Sequence, residues 1–362
     1  MGNVARADRT HPLAEDLDHI LQHTRPLWED LRGERIFITG GTGFFGKWLL
    51  ESFAWANAAL DLRAEAHVLT RNREKFLSAV PHLGADPSMR FHNGDVRAFN
   101  FPEGHFAYFI HAATESSAQL NGQEPWTMYG TIVEGTRRAL ECAVHAGAAG
   151  FLLTSSGAVY GKQPAETLNI PESFAGGPDP LDTNSAYGEG KRSAELLCAL
   201  EAKRSGLETK IARCFAFVGP YLNLDIHYAI GNFIRDGLRG GPIVVKGDGT
   251  PFRSYLYAAD LMVWLWTILF RGTSCRPYNV GSAEAMTIEE VAGAVAHAFD
   301  PPVVVSILGR RKPAAAAERY IPSTQRAERE LGLAQHISTS DAIRRTIAWH
   351  KARTHQPAAG IL

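Results

Sequence analysis

The stretch Arg35-Ile-Phe-Ile-Thr-Gly-Gly-Thr-Gly-Phe-Phe-Gly46 constrains the fold more than any other part of the chain. A short apolar run breaks into glycines and resumes as Lys47 to Trp55, so the segment predicts a strand, a tight turn and a helix. Gly40 can take the positive φ of a sharp turn, Gly43 lets the backbone approach a phosphate without a Cβ, and Gly46 lets the helix pack on the strand. The first helical N–H groups, with Thr42, Phe44 and Phe45 around them, would face a pyrophosphate. A glycine pattern of this length also occurs in turns that hold no ligand, so the rest of the chain has to decide.

Further strands are expected at Ala66–Thr70, Met89–Val96, Ala107–Ala113, Phe151–Ser155 and Thr209–Phe215, with helical stretches at Pro125–Ala146 and Ser185–Arg204. Strands alternating with helices predict an α/β fold with a parallel sheet wound on both faces. Past Phe215 the alternation stops and Gly-Pro pairs punctuate shorter elements, which predicts a dinucleotide-binding domain over 34–215 and a smaller, mainly substrate-binding α/β domain over 216–362. Residues 1–33 form an extension in which Leu17, Ile20 and Leu21 recur at helical spacing, as a helix laid on the body.

Composition excludes several classes. With a formal net charge of -1 in 362 residues and the charges interleaved, nothing favours nucleic acid or an anionic membrane surface. The most apolar run, Leu261–Phe270, is about half of what a bilayer needs and reads as a buried helix. Cys142, Cys198, Cys214 and Cys275 form no C-x-x-C pair, so reduced thiols in a cytoplasmic protein are expected, with no metal site.

A dinucleotide's identity is read at the end of the second strand, where a carboxylate marks NAD. Thr70 holds that place, and Arg71 and Arg73 follow. A guanidinium can grip a 2'-phosphate, so the cofactor is expected to be NADP or NAD, with NADP slightly favoured. Asp95, Val96, Ala112 and Ala113, at the ends of the next two strands, would line the same ligand.

Tyr187-Gly-Glu-Gly-Lys191 sets a phenol and an ammonium on one helix face. The fixed cation favours phenolate and suits the tyrosine to proton transfer. Ser155-Ser-Gly-Ala-Val-Tyr-Gly161, at the end of a strand, supplies a hydroxyl beside it.

Together with Arg213-Cys-Phe-Ala-Phe-Val-Gly-Pro220, these motifs resemble the extended short-chain dehydrogenase/reductases, and more narrowly the NAD-dependent epimerase/dehydratase family acting on nucleotide sugars. The resemblance covers roughly Arg35 to Trp349. It implies a Rossmann-type sheet, a nucleotide-diphosphate sugar as substrate, and a homodimer joined through the helices from Pro125 and Ser185. It also implies that Ser156 binds the sugar oxygen, Tyr187 exchanges its proton, and Lys191 holds the nicotinamide ribose. Arg253 and Arg319 match diphosphate-binding arginines, and Glu115 and Asn232 are further substrate-binding candidates.

The departures matter as much. The 4,6-dehydratases of the family carry an acid pair where this chain has Gly157 and Ala158, and decarboxylating relatives keep a glutamate at the place of Ala158. A family asparagine near the diphosphate is replaced by Ala216. The resulting expectation is a C4 epimerase or 4-ketoreductase and not a 4,6-dehydratase. A dehydratase or decarboxylase with an unusual acid or base, Glu115 for example, stands as one alternative. A non-catalytic dinucleotide-binding regulator stands as another.

Overall fold

The computed structural model describes residues 10–114, 118–226, 229–311 and 316–354. Its centre is a seven-stranded, all-parallel sheet. Six strands follow one another in sequence: β1 (Arg35–Thr39), β2 (Glu65–Thr70), β3 (Met89–Asn93), β4 (Tyr108–His111), β5 (Gly150–Ser156) and β6 (Glu208–Cys214). In space the order is Pro277–Val280, β6, β5, β4, β1, β2, β3, so a late segment returns to extend one edge. The order reverses beside β1: β2 and β3 lie to one side of it, β4 to β6 to the other. In open α/β sheets such a switch point, at the carboxyl ends of the strands, opens the crevice where ligands bind.

Both sheet faces are covered, which is why the strands read as continuous apolar runs. On one face the helix Phe44–Leu60 packs with Ala258–Arg271, in which Leu261, Trp264, Trp266 and Ile268 are buried as the sequence predicted. On the other lie Pro125–His145 and Ala186–Ser205, packed on each other and on a cluster that includes Phe37, Phe109 and Phe151. Three smaller sheets are built from segments that follow β6 in sequence; the one that matters here orders Met286–Thr287, Phe252–Arg253 and Arg319–Tyr320.

The helix Ala14–Thr24 is seated more deeply than its amphipathic pattern suggests. Leu17 and Ile20 are buried, and so is Asp16, whose carboxylate accepts from the Tyr257 hydroxyl at 2.7 Å and from Arg345 at 2.6 Å. Thr287 caps the helix Ile288–His297 in a reciprocal box with Glu290, as the T-x-x-E spacing predicts.

Candidate active site

The turn after β1 has the form its glycines dictate. Gly40 has φ +72°, and a Cβ there would lie 2.4 Å from the backbone of Ala112 at the end of β4. A Cβ on Gly46 would lie 2.2 Å from the backbone of Gly41, so the helix can approach the turn only through glycine. At Gly43 the space differs: a Cβ would meet only the Gly40 carbonyl oxygen, at an ordinary 3.5 Å. Gly43 is exposed, and the helix that begins at Phe44 has no capping side chain. The first-turn N–H groups of Phe44, Phe45 and Gly46 are thus left uncapped beside a glycine whose outer side is open, where an anion would fit. Thr42 lies in the same turn, half-buried, and Ala113 follows Ala112 at the rim.

The neighbouring positions divide. Val96 is buried in the core against Gly135. Asp95 is taken up by Arg97, which donates to it at 2.8 and 3.2 Å and holds its carboxyl below the usual carboxylate range. Thr70 accepts from the Asn72 N–H at 3.2 Å, and Asn72 caps the next helix, which leaves Arg71 and Arg73 exposed, the latter 6.0 Å from the Phe91 ring centre.

The candidates Tyr187 and Lys191 lie where Ala186–Ser205 meets the end of β5. Lys191 is buried and donates from Nζ to the Thr154 carbonyl at 2.7 Å and to Thr114 Oγ1 at 2.9 Å. Burial lowers its ammonium to about 8. Tyr187, one turn earlier, carries its ring centre 5.9 Å from that Nζ, and its backbone N–H donates to Asn121. Gly188, next to it, lies so close to Ala158 that a Cβ would be 2.8 Å from the Ala158 carbonyl oxygen. The phenol-bearing end of the helix therefore adjoins the 3-10 turn Gly157–Tyr160 that follows Ser156, whose Oγ accepts from the Ala158 N–H at 3.2 Å. Ser156, Tyr187 and Lys191 converge at one strand end.

The remaining candidates lie on other elements. Arg253 and Arg319 belong to the three-stranded sheet, where Tyr320 pairs with Arg253 and Arg319 with Phe252. Arg253 donates to Glu318 at 2.7 Å, and the Arg319 guanidinium lies 4.1 Å from the Phe252 ring centre. Asn232, on Ala229–Leu238, accepts from Arg235. Glu115 lies outside the described residues.

Beneath Ser156 runs a buried polar network that pattern reading did not find. Ser155 donates to Glu195 at 2.5 Å, Arg213 binds both Glu195 oxygens, and Arg213 also donates to Tyr160, whose hydroxyl donates to Asn279 at 2.7 Å. Only the i+4 step from Lys191 to Glu195 hinted at it. A second network surrounds His111, buried between Thr39 (2.7 Å) and Thr136 (3.1 Å); burial and the nearby Lys191 lower its imidazole to about 3, so it is neutral. Among the described residues, His11, Glu51 and His82 gather ligand-type atoms within 4.8 Å of one another. His11 Nδ1, however, accepts from the Leu13 N–H, which puts its hydrogen on Nε2 toward Glu51 and makes this a hydrogen-bonded cluster.

A glycine turn with an uncapped helix start at a sheet switch point, with hydroxyl, phenol and ammonium at the end of β5, is the arrangement expected of an extended short-chain dehydrogenase/reductase. The sequence matches the profile of the NAD dependent epimerase/dehydratase family over residues 36–281, and the chain belongs to that family. It is 31% identical over 274 residues to UDP-glucuronic acid decarboxylase 6 of Arabidopsis thaliana, which covers 76% of this chain and 77% of that one. A UDP-glucuronic acid decarboxylase of Danio rerio is 30% identical over 262 residues, 72% of this chain and 59% of that one. Among solved structures, a dTDP-glucose 4,6-dehydratase of Streptomyces venezuelae with NAD bound superposes with a TM-score of 0.72 at 27% identity, covering 88% of this chain and 97% of that one.

These relatives overturn the expected epimerase or ketoreductase. Curated proteins of about 30% identity carry decarboxylase names, and the better reading is the decarboxylase first held as an alternative. Gly157 and Ala158 do not argue against carbon loss, because expelling carbon dioxide from a β-keto acid requires no base. The chain is an NAD-dependent enzyme that modifies nucleotide sugars, and no helix among the described residues is long and apolar enough to cross a membrane.

Proposed function

We propose that the chain decarboxylates a nucleotide uronate, with UDP-glucuronic acid as the substrate. The observation that carries the reading is the 31% and 30% identity to UDP-glucuronic acid decarboxylases; Ser156, Tyr187 and buried Lys191 lie near one another at a strand end whose next two residues are Gly157 and Ala158. That set can make a ketone at C4 but cannot take the C5 proton. In a uronate a C4 ketone is β to the C6 carboxylate, and a β-keto acid loses carbon dioxide with its electrons flowing into the enolate.

A dinucleotide held here would supply a reversible hydride acceptor for C4. The uncapped turn at Gly43–Gly46 would hold its pyrophosphate and Lys191 its ribose. Ser156 orients the C4 hydroxyl and Tyr187 takes, then restores, that hydroxyl's proton. Arg253 and Arg319 are assigned to the substrate diphosphate, where a guanidinium fork matches two phosphate oxygens. A cycle that returns its hydride can keep one dinucleotide, which together with the family's name favours NAD; Arg71 and Arg73 then serve as surface charges. We also assign a homodimer, since Trp126, Leu196 and Leu200 are exposed on the paired helices Pro125–His145 and Ala186–Ser205.

The test is product analysis by NMR and mass spectrometry with UDP-glucuronic acid and NAD. The expected product is a UDP-pentose with no net reduced dinucleotide. An isomerised but intact uronate would contradict the proposal.

A further inference from the structure

The place where a family acid would follow Ser156 is occupied from elsewhere in the chain. A Cβ built on Gly157 would lie 2.7 Å from the ring edge of Phe215 and 2.7 Å from the hydroxyl oxygen of Tyr320. Tyr320 is half-buried, and its ring lies 4.7 Å from that of Phe215 in a small cluster with Val159, Tyr160 and Ile170. Its backbone is fixed on both sides. Tyr320 pairs with Arg253 in the small sheet, while the Ile321 N–H donates to Gln163 at 2.9 Å and the Ile321 carbonyl accepts from Ile170 at 2.9 Å. A hydroxyl remote in sequence is thereby held over the residue after Ser156, and glycine at 157 is what makes room for it.

We infer that Tyr320 is the acid that protonates C5 in this chain. The inference rests on the decarboxylase reading. With C4 held as a ketone, the C5–C6 bond breaks, carbon dioxide leaves, and the bonding pair becomes the C4–C5 enolate. The enolate re-forms the ketone as C5 takes the proton of the Tyr320 O–H. The O–H pair stays on oxygen as phenolate, which regains its proton from water. A phenol suits the task because it ordinarily holds its proton at neutral pH, whereas a carboxyl of ordinary pKa has already lost it. The missing acid pair is then a substitution of one donor for another.

The experiment runs wild type and Tyr320→Phe with carboxyl-labelled UDP-glucuronic acid in deuterium oxide. Trapped label reports carbon loss, and NMR reports which C5 position of the product carries deuterium. Wild type is expected to release the label and deuterate one face of C5. Tyr320→Phe, checked for dinucleotide binding and an unchanged melting temperature, should form product about a hundredfold more slowly. It should also scatter deuterium over both faces. An equal rate with the same single-face labelling would overturn the role of Tyr320 and leave decarboxylation standing. Scattered deuterium from wild type would overturn it without recourse to any variant. No released label from wild type would overturn the decarboxylase reading, and this inference with it.

Discussion

At the scale of single residues, the account depends on Tyr187 and Lys191 doing different work. Tyr187→Phe removes one oxygen and should lower turnover by about a hundredfold or more. Dinucleotide affinity, measured by calorimetry, should stay within a few-fold of wild type. Lys191 has a signature in stability as well. Its folded pKa, lowered by burial to about 8, lies below the ordinary 10.5, so between those values the unfolded chain binds more protons than the folded one. Stability should therefore rise with pH through that window, by up to about 3 kcal/mol. Urea titrations at pH 8 and 10 test this: the rise should vanish in Lys191→Met, and a slope that persists would mean another group is responsible.

At the scale of elements, two devices hold the first helix. A methyl group on Gly46 has nowhere to go, being 2.2 Å from the Gly41 backbone. Gly46→Ala should cost about 3 kcal/mol and weaken dinucleotide binding, read by thermal melting and calorimetry. Glu51, buried on the same helix, would be raised by burial alone. It accepts from Tyr221 at 2.5 Å and His82 at 2.8 Å and faces His11 at 3.4 Å, and these contacts hold its carboxyl at about 2. A depressed carboxyl contributes its stability above the ordinary 4.5 and loses it as pH falls toward 2. Glu51→Gln should lower stability at pH 6 by about 2 kcal/mol and flatten acid unfolding in that window. His82, raised by the same contact, contributes below its ordinary 6.5 and loses its share as the pH rises through its raised value. The six sequential strands and the glycine turn were legible because their signals are local: period, glycine spacing and a Y-x-x-x-K step. Tyr320 was not, because its hydroxyl reaches Gly157 only after Arg319–Tyr320 has paired with Phe252–Arg253. The Glu195–Arg213–Tyr160–Asn279 network is equally non-local.

At the scale of the whole molecule, the first and last helices among the described residues close on each other. Asp16 joins Tyr257 at the start of Ala258–Arg271 to Arg345 on Thr339–Thr354, and Asp260 accepts from the His336 and Ile337 N–H groups, each at 2.9 Å. Ile20→Ala should cost about 3 kcal/mol in a melting experiment, as a core residue would; near-neutrality would make the helix an accessory. The sequence showed that helix's periodicity but not the carboxylate buried within it, since an aspartate before an apolar face reads equally well as solvated. Function was the level least legible. Ser156, Tyr187 and Lys191 are shared by every reaction that begins with a C4 ketone, and the fate of that ketone depends on the substrate's C6. The most direct measurement is therefore carbon loss itself: UDP-glucuronic acid carrying carbon-13 in its carboxyl group, incubated with the protein and NAD, with the gas analysed by mass spectrometry. Labelled carbon dioxide in step with a UDP-pentose is the predicted result. Label retained in an epimeric or reduced nucleotide sugar would contradict the account.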